Sequence, residues 1–274
     1  MRIFVGCLDL ADQKAFNTPL PTFLRIMALS EFFYQIFESL PRQGPGCPGA
    51  TRKAYSYLPP LPNDAAILDI GCGSGTQTRD LAALTRGTIT AVDNHNPFLD
   101  TIDAKAKEDG TSGRIKTVYA SMDALPFDQG QFDLIWSEGS VFIIGFEKGL
   151  WTWKPFLKKG GYLVVSDAAW FEPNPPDELA RWWEMEGYSP KTEDQLRELV
   201  KIAGYRLIAT YRLPEAGWWE NYYVPMLARI AELKKAQGSD PEHAAILDSL
   251  EAEAETYRKY KRFYGYTFFI MQKP

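Results

Sequence analysis

The chain has 274 residues, of which 45% are hydrophobic, so it is long enough for one large domain or one domain with substantial additions. Its formal net charge of -5 gives no basic surface for nucleic acid, and we expect no such partner. The three cysteines, Cys7, Cys47 and Cys72, lack CxxC spacing. We therefore expect neither a disulfide framework nor a bound metal, and we expect a reducing, cytoplasmic location.

The first 40 residues carry no signal for secretion or for a membrane span. The segment MRIFVGCLDLADQK lacks a cationic start followed by a sustained apolar run, so we expect no signal peptide. Residues 21–40 are more apolar, but Arg25, Glu31 and Glu38 interrupt them and argue against a span. Their spacing predicts an amphipathic helix instead. Its apolar face consists of Leu24, Met27, Ala28, Phe32, Ile36 and Leu40.

Glycines and prolines crowd the next segment, residues 40–54 (LPRQGPGCPGATRKA), around Arg42 and Gln43. So many helix breakers exclude a core element, yet the segment continues into a helical pattern. The residues alone leave two interpretations open, a connector between helices with Arg42 at the surface or part of a binding site. In either case we expect residues 1–60 to form a helical arm.

Short apolar runs alternate with helical patterns over residues 65–167. Strands are predicted at 65–70, 88–93, 114–120, 132–137 and 162–167, with helices at 76–85, 96–110 and 145–161. We expect the third of these helices to end at its pair of glycines. Strands alternating with helices favour an α/β fold with a doubly wound, mostly parallel sheet.

The pattern becomes mainly helical after residue 170. Helices are predicted near 177–187, 192–203, 219–237 and 241–261, and strands at 204–213 and at the C-terminal GYTFFIMQK. We expect residues 61–274 to form one domain. Within it, residues 214–262 are expected to be a helical insertion on the substrate side, before the last strand.

Residues 67–78 (ILDIGCGSGTQT) form the most informative motif, a strand with Asp69 near its end, three glycines at alternate positions, and a helix. Glycines let a ligand approach the main chain closely, and free N–H groups at a helix start attract a polar or negative group. Asp93 ends the next strand at about the 20-residue offset expected of a carboxylate that binds ribose hydroxyls. The combination predicts a nucleoside-type ligand.

The glycine spacing GCGSG departs from the dinucleotide fingerprint GxGxxG. Asp69, just before the turn, would repel a pyrophosphate and suits a cationic group better. S-adenosylmethionine, which has an ammonium and a sulfonium but no phosphate, meets this requirement.

Five motifs carry a family resemblance: LDIGCGSG, AVD, SMDALPF, FDLIWSEGS and LKKGGYLVVSD. In this order they resemble the motifs of class I S-adenosylmethionine-dependent methyltransferases over residues 65–170. RQGPG, WSEGSVFIIGFEKGL and YKRFYGYTFFI resemble a bacterial and archaeal group of small-molecule methyltransferases, the methyltransferase type 11 group, close to the ubiquinone/menaquinone-biosynthesis enzymes. The resemblance implies a seven-stranded sheet with an antiparallel last strand, and methyl transfer from S-adenosylmethionine (EC 2.1.1.-).

The resemblance also implies roles for individual residues. The glycine backbone would hold the methionine part of the cofactor, with Asp69 near its ammonium, and Asp93 would bind the ribose with Asn94 beside it. Asp123 would accept the adenine amino group, and Met122 would pack on the ring. The expected cofactor-binding residues are Arg42, Gln43, Asp69, Gly71, Cys72, Gly73, Ser74, Gly75, Thr76, Gln77, Asp93, Asn94, Ser121, Met122, Asp123 and Ser137.

In this family the N-terminal arm lies over the cofactor, which favours the binding interpretation of residues 42–46 (RQGPG), called the Gly/Pro loop below. Arg42 and Gln43 are then expected to donate hydrogen bonds to the cofactor carboxylate or to a substrate anion. The loop would act as a lid segment that orders when the cofactor binds. A plain connector remains the alternative.

Glu138, at the end of the fourth strand, is the candidate catalytic residue. It would act as a general base only if the nucleophile must lose a proton early, and it can equally orient a substrate amine. Aromatic residues after position 150 are expected to bind a small aromatic or cationic substrate, with core packing as the alternative. The expected substrate-binding residues are Trp170, Tyr188, Trp218, Trp219, Tyr222 and Tyr223, whereas Trp182 and Trp183 are expected in the core.

Two other classes of protein remain as alternatives, a nicotinamide-dependent oxidoreductase on a Rossmann-type sheet and a non-catalytic cofactor-binding protein. The GCGSG spacing and the lack of a Tyr-xxx-Lys pair after the fourth strand argue against the first, and the intact motif set argues against the second. The sequence leaves the methyl acceptor open, and it allows a monomer or a homodimer.

Overall fold

The computed structural model describes residues 31–236 and 240–274. Two predictions fall partly outside these ranges. They are the apolar positions 24–28 of the arm and the end, at residue 237, of the helix predicted over 219–237. The strands are β1 (Ala66–Ile70), β2 (Thr88–Asp93), β3 (Ile115–Tyr119), β4 (Phe132–Glu138), β5 (Leu157–Trp170), β6 (Lys191–Thr192), β7 (Arg206–Arg212) and β8 (Tyr264–Gln272).

Ten α-helices lie in the described ranges. They are α1 (Glu31–Glu38), α2 (Pro48–Tyr55), α3 (Thr76–Leu84), α4 (Asn96–Glu108), α5 (Phe146–Trp153), α6 (Asp177–Met185), α7 (Glu193–Ile202), α8 (Glu215–Trp218), α9 (Val224–Ala236) and α10 (Pro241–Tyr260). A five-residue π-helical stretch, Trp219–Tyr223, joins α8 to α9.

All strands belong to one sheet, in the order β3-β2-β1-β4-β5-β8-β7, with the two-residue β6 paired to β5. The first five strands run parallel, and β8 runs antiparallel to both β5 and β7. The predicted α/β fold with an antiparallel last strand is therefore confirmed. Since β1 lies between β2 and β4, the strand order reverses there, and a crevice opens at the carboxyl ends of these strands.

Each face of the sheet is covered by its own hydrophobic cluster. Leu134 and Trp136 of β4 point to the face packed by the N-terminal arm and by the helices between β7 and β8. Ile135, between them, points to the opposite face and packs with α5 and α7. This alternation is what a strand buried on both faces requires, and it explains why the middle of β4 has three consecutive apolar residues, LIW.

One predicted helix boundary is wrong. The helix expected over 145–161 ends at Trp153, and β5 begins at Leu157, before the glycine pair. Pro155 has no N–H group to continue the helix, and a short 3₁₀ turn, Lys154–Phe156, replaces it. The following residues pair with the sheet instead, because Leu157 lies opposite Phe132 of β4.

The helix predicted from residue 219 also differs from the structure. A helical turn, α8, already begins at Glu215. The helix then widens into the π-helical stretch, where the Val224 N–H bonds to the Trp219 carbonyl, five residues back. Pro225 follows immediately and cannot donate a backbone hydrogen bond, so the regular ladder is broken at this point. No helix in the described ranges is long and apolar enough to cross a membrane.

We predict that the β5–β8 part of the sheet is a main source of stability. Phe269 of β8 is fully buried and packs edge-to-face on Phe146, with ring centroids 5.1 Å apart. Phe269→Ala should lower the free energy of unfolding by about 3–5 kcal/mol, because it leaves a cavity in a packed core. Urea unfolding measures this change. Tyr119→Ala is the control, since Tyr119 is 62% exposed, and equal losses in both variants would contradict the prediction.

Candidate active site

The crevice at the ends of β1, β2 and β4 has about 1240 Å³ of space, part of it open to solvent. The arm covers it from one side, because Phe33 and Phe37 of α1 and the loop residues Arg42–Pro45 contribute to its wall. The predicted cofactor residues that line it are Arg42, Gln43, Gly71, Cys72, Gly73, Thr76, Gln77, Asp93, Asn94, Ser121, Met122 and Asp123. Asp69, Ser74, Gly75 and Ser137 do not line it.

The turn after β1 requires glycine. Gly71 and Gly73 have φ values of +67° and +53°, in the left-handed region that favours glycine. A Cβ atom at Gly73 would lie 2.4 Å from Oε1 of Gln43, and one at Gly71 would lie 2.4 Å from Oγ of Ser140. A residue other than glycine would thus be strained at either position. It would also collide with one of two polar side chains that approach the turn closely.

Gln43 holds the arm against this turn. Its Oε1 accepts a hydrogen bond from the Ser74 N–H at 2.7 Å, and its amide nitrogen donates to the carbonyls of Phe37 and Leu40 at 3.1 and 3.2 Å. Both amide hydrogens are therefore used within the protein. The expectation that Gln43 donates to a ligand is not supported by this geometry, which gives it a positioning role.

Arg42 is buried, with an exposed fraction of 7%, so the surface-connector interpretation does not describe it. Its Nη2 atom donates to Oε2 of Glu138 at 2.8 Å. Its Nη1 atom is also buried and has no hydrogen-bond partner in the described ranges. Arg42 thus lines the crevice and carries a buried donor that the described residues do not satisfy.

Glu138 is occupied by three donors. Thr51 Oγ1 and Trp136 Nε1 donate to its Oε1 at 2.7 and 2.9 Å, and Arg42 occupies its Oε2. Both carboxylate oxygens of Glu138 are therefore engaged by donors of the protein itself, one of them a guanidinium. This arrangement gives Glu138 the role of an anchor for the Gly/Pro loop and argues against the expected general base.

Asp93 lines the cavity, and two backbone N–H groups hold its carboxylate in place. The Gly73 N–H donates to Oδ2 at 2.9 Å and the His95 N–H donates to Oδ1 at 3.1 Å. Burial raises the pKa of Asp93, and these backbone hydrogen bonds oppose that rise. Each carboxylate oxygen can accept a further hydrogen bond, which is what a ribose diol would supply.

Met122 and Asp123 lie on the adjacent wall. The backbone of Met122 is fixed by Trp153, whose Nε1 donates to its carbonyl at 2.8 Å. Asp123 accepts a hydrogen bond from Ser121 Oγ at 2.6 Å, and this bond, with Lys148 nearby, lowers its pKa. Asp123 is therefore an ionised acceptor at neutral pH, as its expected contact with an amino group requires.

Asp69 is fully buried below the turn rather than on the cavity wall. Thr78 Oγ1 donates to its Oδ2 at 2.6 Å, whereas Oδ1 has no hydrogen-bond partner among the residues described. Burial raises the pKa of Asp69 to about 7. The side chain supports the turn and does not line the crevice, and its expected place near a cofactor ammonium stays a prediction.

None of the six predicted substrate residues lines the crevice. Trp218, Tyr222 and Tyr223 line a second, smaller cavity, and Trp170, Tyr188 and Trp219 line neither. Sequence reasoning missed several residues that do line the crevice. They are Phe33, Tyr34, Phe37, Phe98, Ser140, Ile143 and Ile144. The only signal for the last three was the motif SVFIIG directly after β4.

Comparison with known proteins places the chain among methyltransferases. The family model "Methyltransferase domain" matches residues 67–161. The chain is 30% identical to the trans-aconitate 2-methyltransferase of Streptomyces avermitilis over 67% of each chain. It is 25% identical to the uncharacterized methyltransferase YodH of Bacillus subtilis, over 84% of this chain and 93% of that protein.

Solved structures share the fold. A SAM-dependent methyltransferase from Geobacter sulfurreducens, in complex with S-adenosyl-L-homocysteine, superimposes with a TM-score of 0.77 at 18% identity. The match covers 90% of this chain and 99% of that one. YjhP from E. coli also superimposes with a TM-score of 0.77, at 19% identity, over 89% of this chain and all of that one.

We predict that two buried carboxyl groups make the protein less stable as the pH rises from 4 to 7. Burial raises the pKa values of Asp69 and Asp167 to about 7, well above the ordinary value of about 3.9. Between pH 4 and 7 the native state then binds more protons than the unfolded chain. The two carboxyl groups therefore contribute to the free energy of unfolding below pH 4, and this contribution is lost as the pH rises through 7. Each group can lower the free energy of unfolding by up to about 1.4 kcal/mol per pH unit.

Asp69→Asn and Asp167→Asn should each flatten the dependence of the unfolding free energy on pH, and the double variant should flatten it further. Urea unfolding at half-unit intervals between pH 4.5 and 7.5 measures these slopes. A double variant with the same slope as the unsubstituted protein would show that neither carboxyl group carries the effect.

Proposed function

This chain belongs to the class I S-adenosylmethionine-dependent methyltransferases, and we propose that its crevice aligns a small organic acceptor with the methyl group of the cofactor. The cofactor supplies an electrophilic methyl group when bound. The observation that carries the proposal is the meeting of the glycine turn, Asp93, Asp123 and Arg42 in one crevice where the strand order reverses.

The charges of the crevice fit the cofactor. We propose that Asp93 accepts the ribose hydroxyls and that Asp123 accepts the adenine amino group, since both carboxylates line the wall and keep free acceptor capacity. The unpartnered Nη1 of Arg42 suits the carboxylate of the methionine part. The glycine spacing GCGSG departs from the dinucleotide fingerprint, which disfavours the nicotinamide-dependent alternative.

The chain itself contributes alignment and the exclusion of water. Methyl transfer from a sulfonium depends on placing the nucleophile in line with the methyl group, at roughly 3 Å. Phe33, Phe37 and the Gly/Pro loop form an apolar roof over the crevice, and Glu138 fixes this roof through Arg42. No histidine lines the crevice in the described part of the chain, so we propose that positioning rather than proton transfer dominates.

The arm and the helical insertion are proposed to enclose the acceptor together. The Gly46 N–H donates to the Gly217 carbonyl at 2.9 Å, which joins the Gly/Pro loop to α8. A small acceptor agrees with the relative named as a trans-aconitate 2-methyltransferase.

Asp93→Asn should weaken binding of S-adenosylhomocysteine by about 10- to 100-fold, because a hydrogen bond to a charged group contributes about 1.5–3 kcal/mol. Isothermal titration calorimetry measures the affinity, and Asp100→Asn on the exposed side of α4 is the matched control. The unsubstituted protein should not bind NAD⁺ under the same conditions. Binding of NAD⁺ in preference to S-adenosylhomocysteine would overturn the proposed function.

A further inference from the structure

One donor of the glycine turn, residues 71–75, is bound by the N-terminal arm. Four of the five backbone N–H groups of the turn are bound by the turn itself or by β2, at 2.9 or 3.0 Å. The four donors are Gly71, Cys72, Gly73 and Gly75, and their acceptors are the carbonyls of Val92 and Cys72 and the carboxylate of Asp93. The fifth donor, the Ser74 N–H, is bound by Oε1 of Gln43 at 2.7 Å. The strand and the turn thus leave one N–H group for another partner, and the arm supplies that partner.

The contacts of Gln43 decide which end of its amide faces the turn. Its Nε2 atom lies 3.1 Å from the Phe37 carbonyl oxygen and 3.2 Å from that of Leu40, and only the NH₂ end of an amide can donate to them. A reversed amide would set an acceptor against these two acceptors and a donor against the Ser74 N–H. Because the side chain is also buried, its oxygen is locked on the turn.

Gln43 also separates the Ser74 N–H from the crevice. Gln43 and Gly73 line the crevice, whereas Ser74 does not. The Gln43 amide lies directly on Gly73, where an added Cβ atom would be 2.4 Å from Oε1. A shorter side chain at position 43 would therefore open this N–H group, just before α3, to a ligand in the crevice.

The state of these N–H groups decides which nucleotides the turn can accept. In sheets of this type, phosphates bind to free N–H groups where the first strand passes into its helix. A phosphate must exchange its water for such donors, and a charged group that leaves water without them loses free energy. A ligand without a phosphate does not need them. The saturated turn therefore favours nucleosides over nucleoside phosphates.

We propose that Gln43 is a specificity-determining residue that excludes nucleoside phosphates from the crevice by occupying the Ser74 N–H group. S-adenosylhomocysteine and adenosine 5′-monophosphate share their adenosine part and differ in the group that follows the ribose. The inference rests on the proposed function, because it uses the adenosine position at Asp93 and Asp123. It assigns the choice between the two ligand classes to the arm, which lies outside the strand–turn–helix motif.

The charged groups of the crevice stay the same in every variant at position 43. Arg42 is the only basic side chain that lines the crevice within the described ranges, and it is paired with Glu138. Asp93 and Asp123 line it as well, so acidic side chains outnumber basic ones there. A comparison between variants at position 43 therefore isolates the effect of the N–H group on a phosphate.

The ratio of the dissociation constants of adenosine and adenosine 5′-monophosphate measures what the phosphate contributes to binding. This ratio should be about one or lower in the unsubstituted protein, and it should rise at least about fivefold in Gln43→Ala, because a hydrogen bond to a charged oxygen becomes available. Titrations followed by NMR at constant ionic strength measure both constants. A looser arm would weaken both ligands alike and leave the ratio unchanged, so a merely structural role of Gln43 does not produce this result.

Two further variants control the test. Gln77→Ala removes another buried glutamine that lines the crevice, but the Nε2 atom of Gln77 donates to the Cys72 carbonyl at 3.0 Å. This variant frees no N–H group of the turn, so the ratio should stay within about twofold. Gln43→Met keeps the volume of the side chain and removes its acceptor, so it should raise the ratio by about threefold or more. It decides the question if Gln43→Ala does not fold.

Three results would overturn the proposal. They are adenosine 5′-monophosphate binding the unsubstituted protein more than about threefold more tightly than adenosine, an unchanged ratio in both variants at position 43, and an equal rise in Gln77→Ala. A protein that binds S-adenosylhomocysteine and gives one of these results loses this inference and keeps the proposed function. Failure to bind S-adenosylhomocysteine would remove the function itself.

Discussion

The ion pair between Arg42 and Glu138 is the interaction on which the site depends. It joins residues 96 positions apart, at 2.8 Å, with both side chains almost completely buried. Burying two charges is costly unless further hydrogen bonds satisfy them, and Thr51 and Trp136 provide two of these for the carboxylate. The pair therefore sets the position of the Gly/Pro loop against the end of β4, and no alternative contact described for Arg42 could replace it.

The loop held in this way divides the space above the sheet into two cavities of different chemistry. On one side, carboxylates and the spare guanidinium donor of Arg42 suit a ligand with hydroxyl, amino and carboxylate groups. On the other side, aromatic rings and Glu253 line a much smaller cavity. Pro45 contributes to both walls, and Gly46 bonds to Gly217 of the insertion. One short segment thus borders both cavities and contacts the insertion.

Local patterns predicted the parallel half of the sheet well, because glycine spacing, apolar runs and strand-end carboxylates such as Asp93 are local features. The helix before β5 was misjudged because pairing with the sheet, which is not local, decides where it ends. The partner of Arg42 lies on another strand, so the anchoring role of Glu138 could not be read from spacing. The prediction of Trp183 in the core is confirmed, since it is 1% exposed, but sequence gives no information about whether its buried indole N–H finds an acceptor.

A double-mutant cycle on Arg42→Met and Glu138→Gln tests the central claim most directly, with urea unfolding and S-adenosylhomocysteine affinity as the two measurements. Each single change should cost about 3–5 kcal/mol, because it leaves an uncompensated buried charge or its donors, and the double variant should cost clearly less than the sum. Affinity for S-adenosylhomocysteine should fall in all three variants. Additive stability losses together with unchanged affinity would contradict the account, because the pair would then neither hold the loop nor shape the crevice.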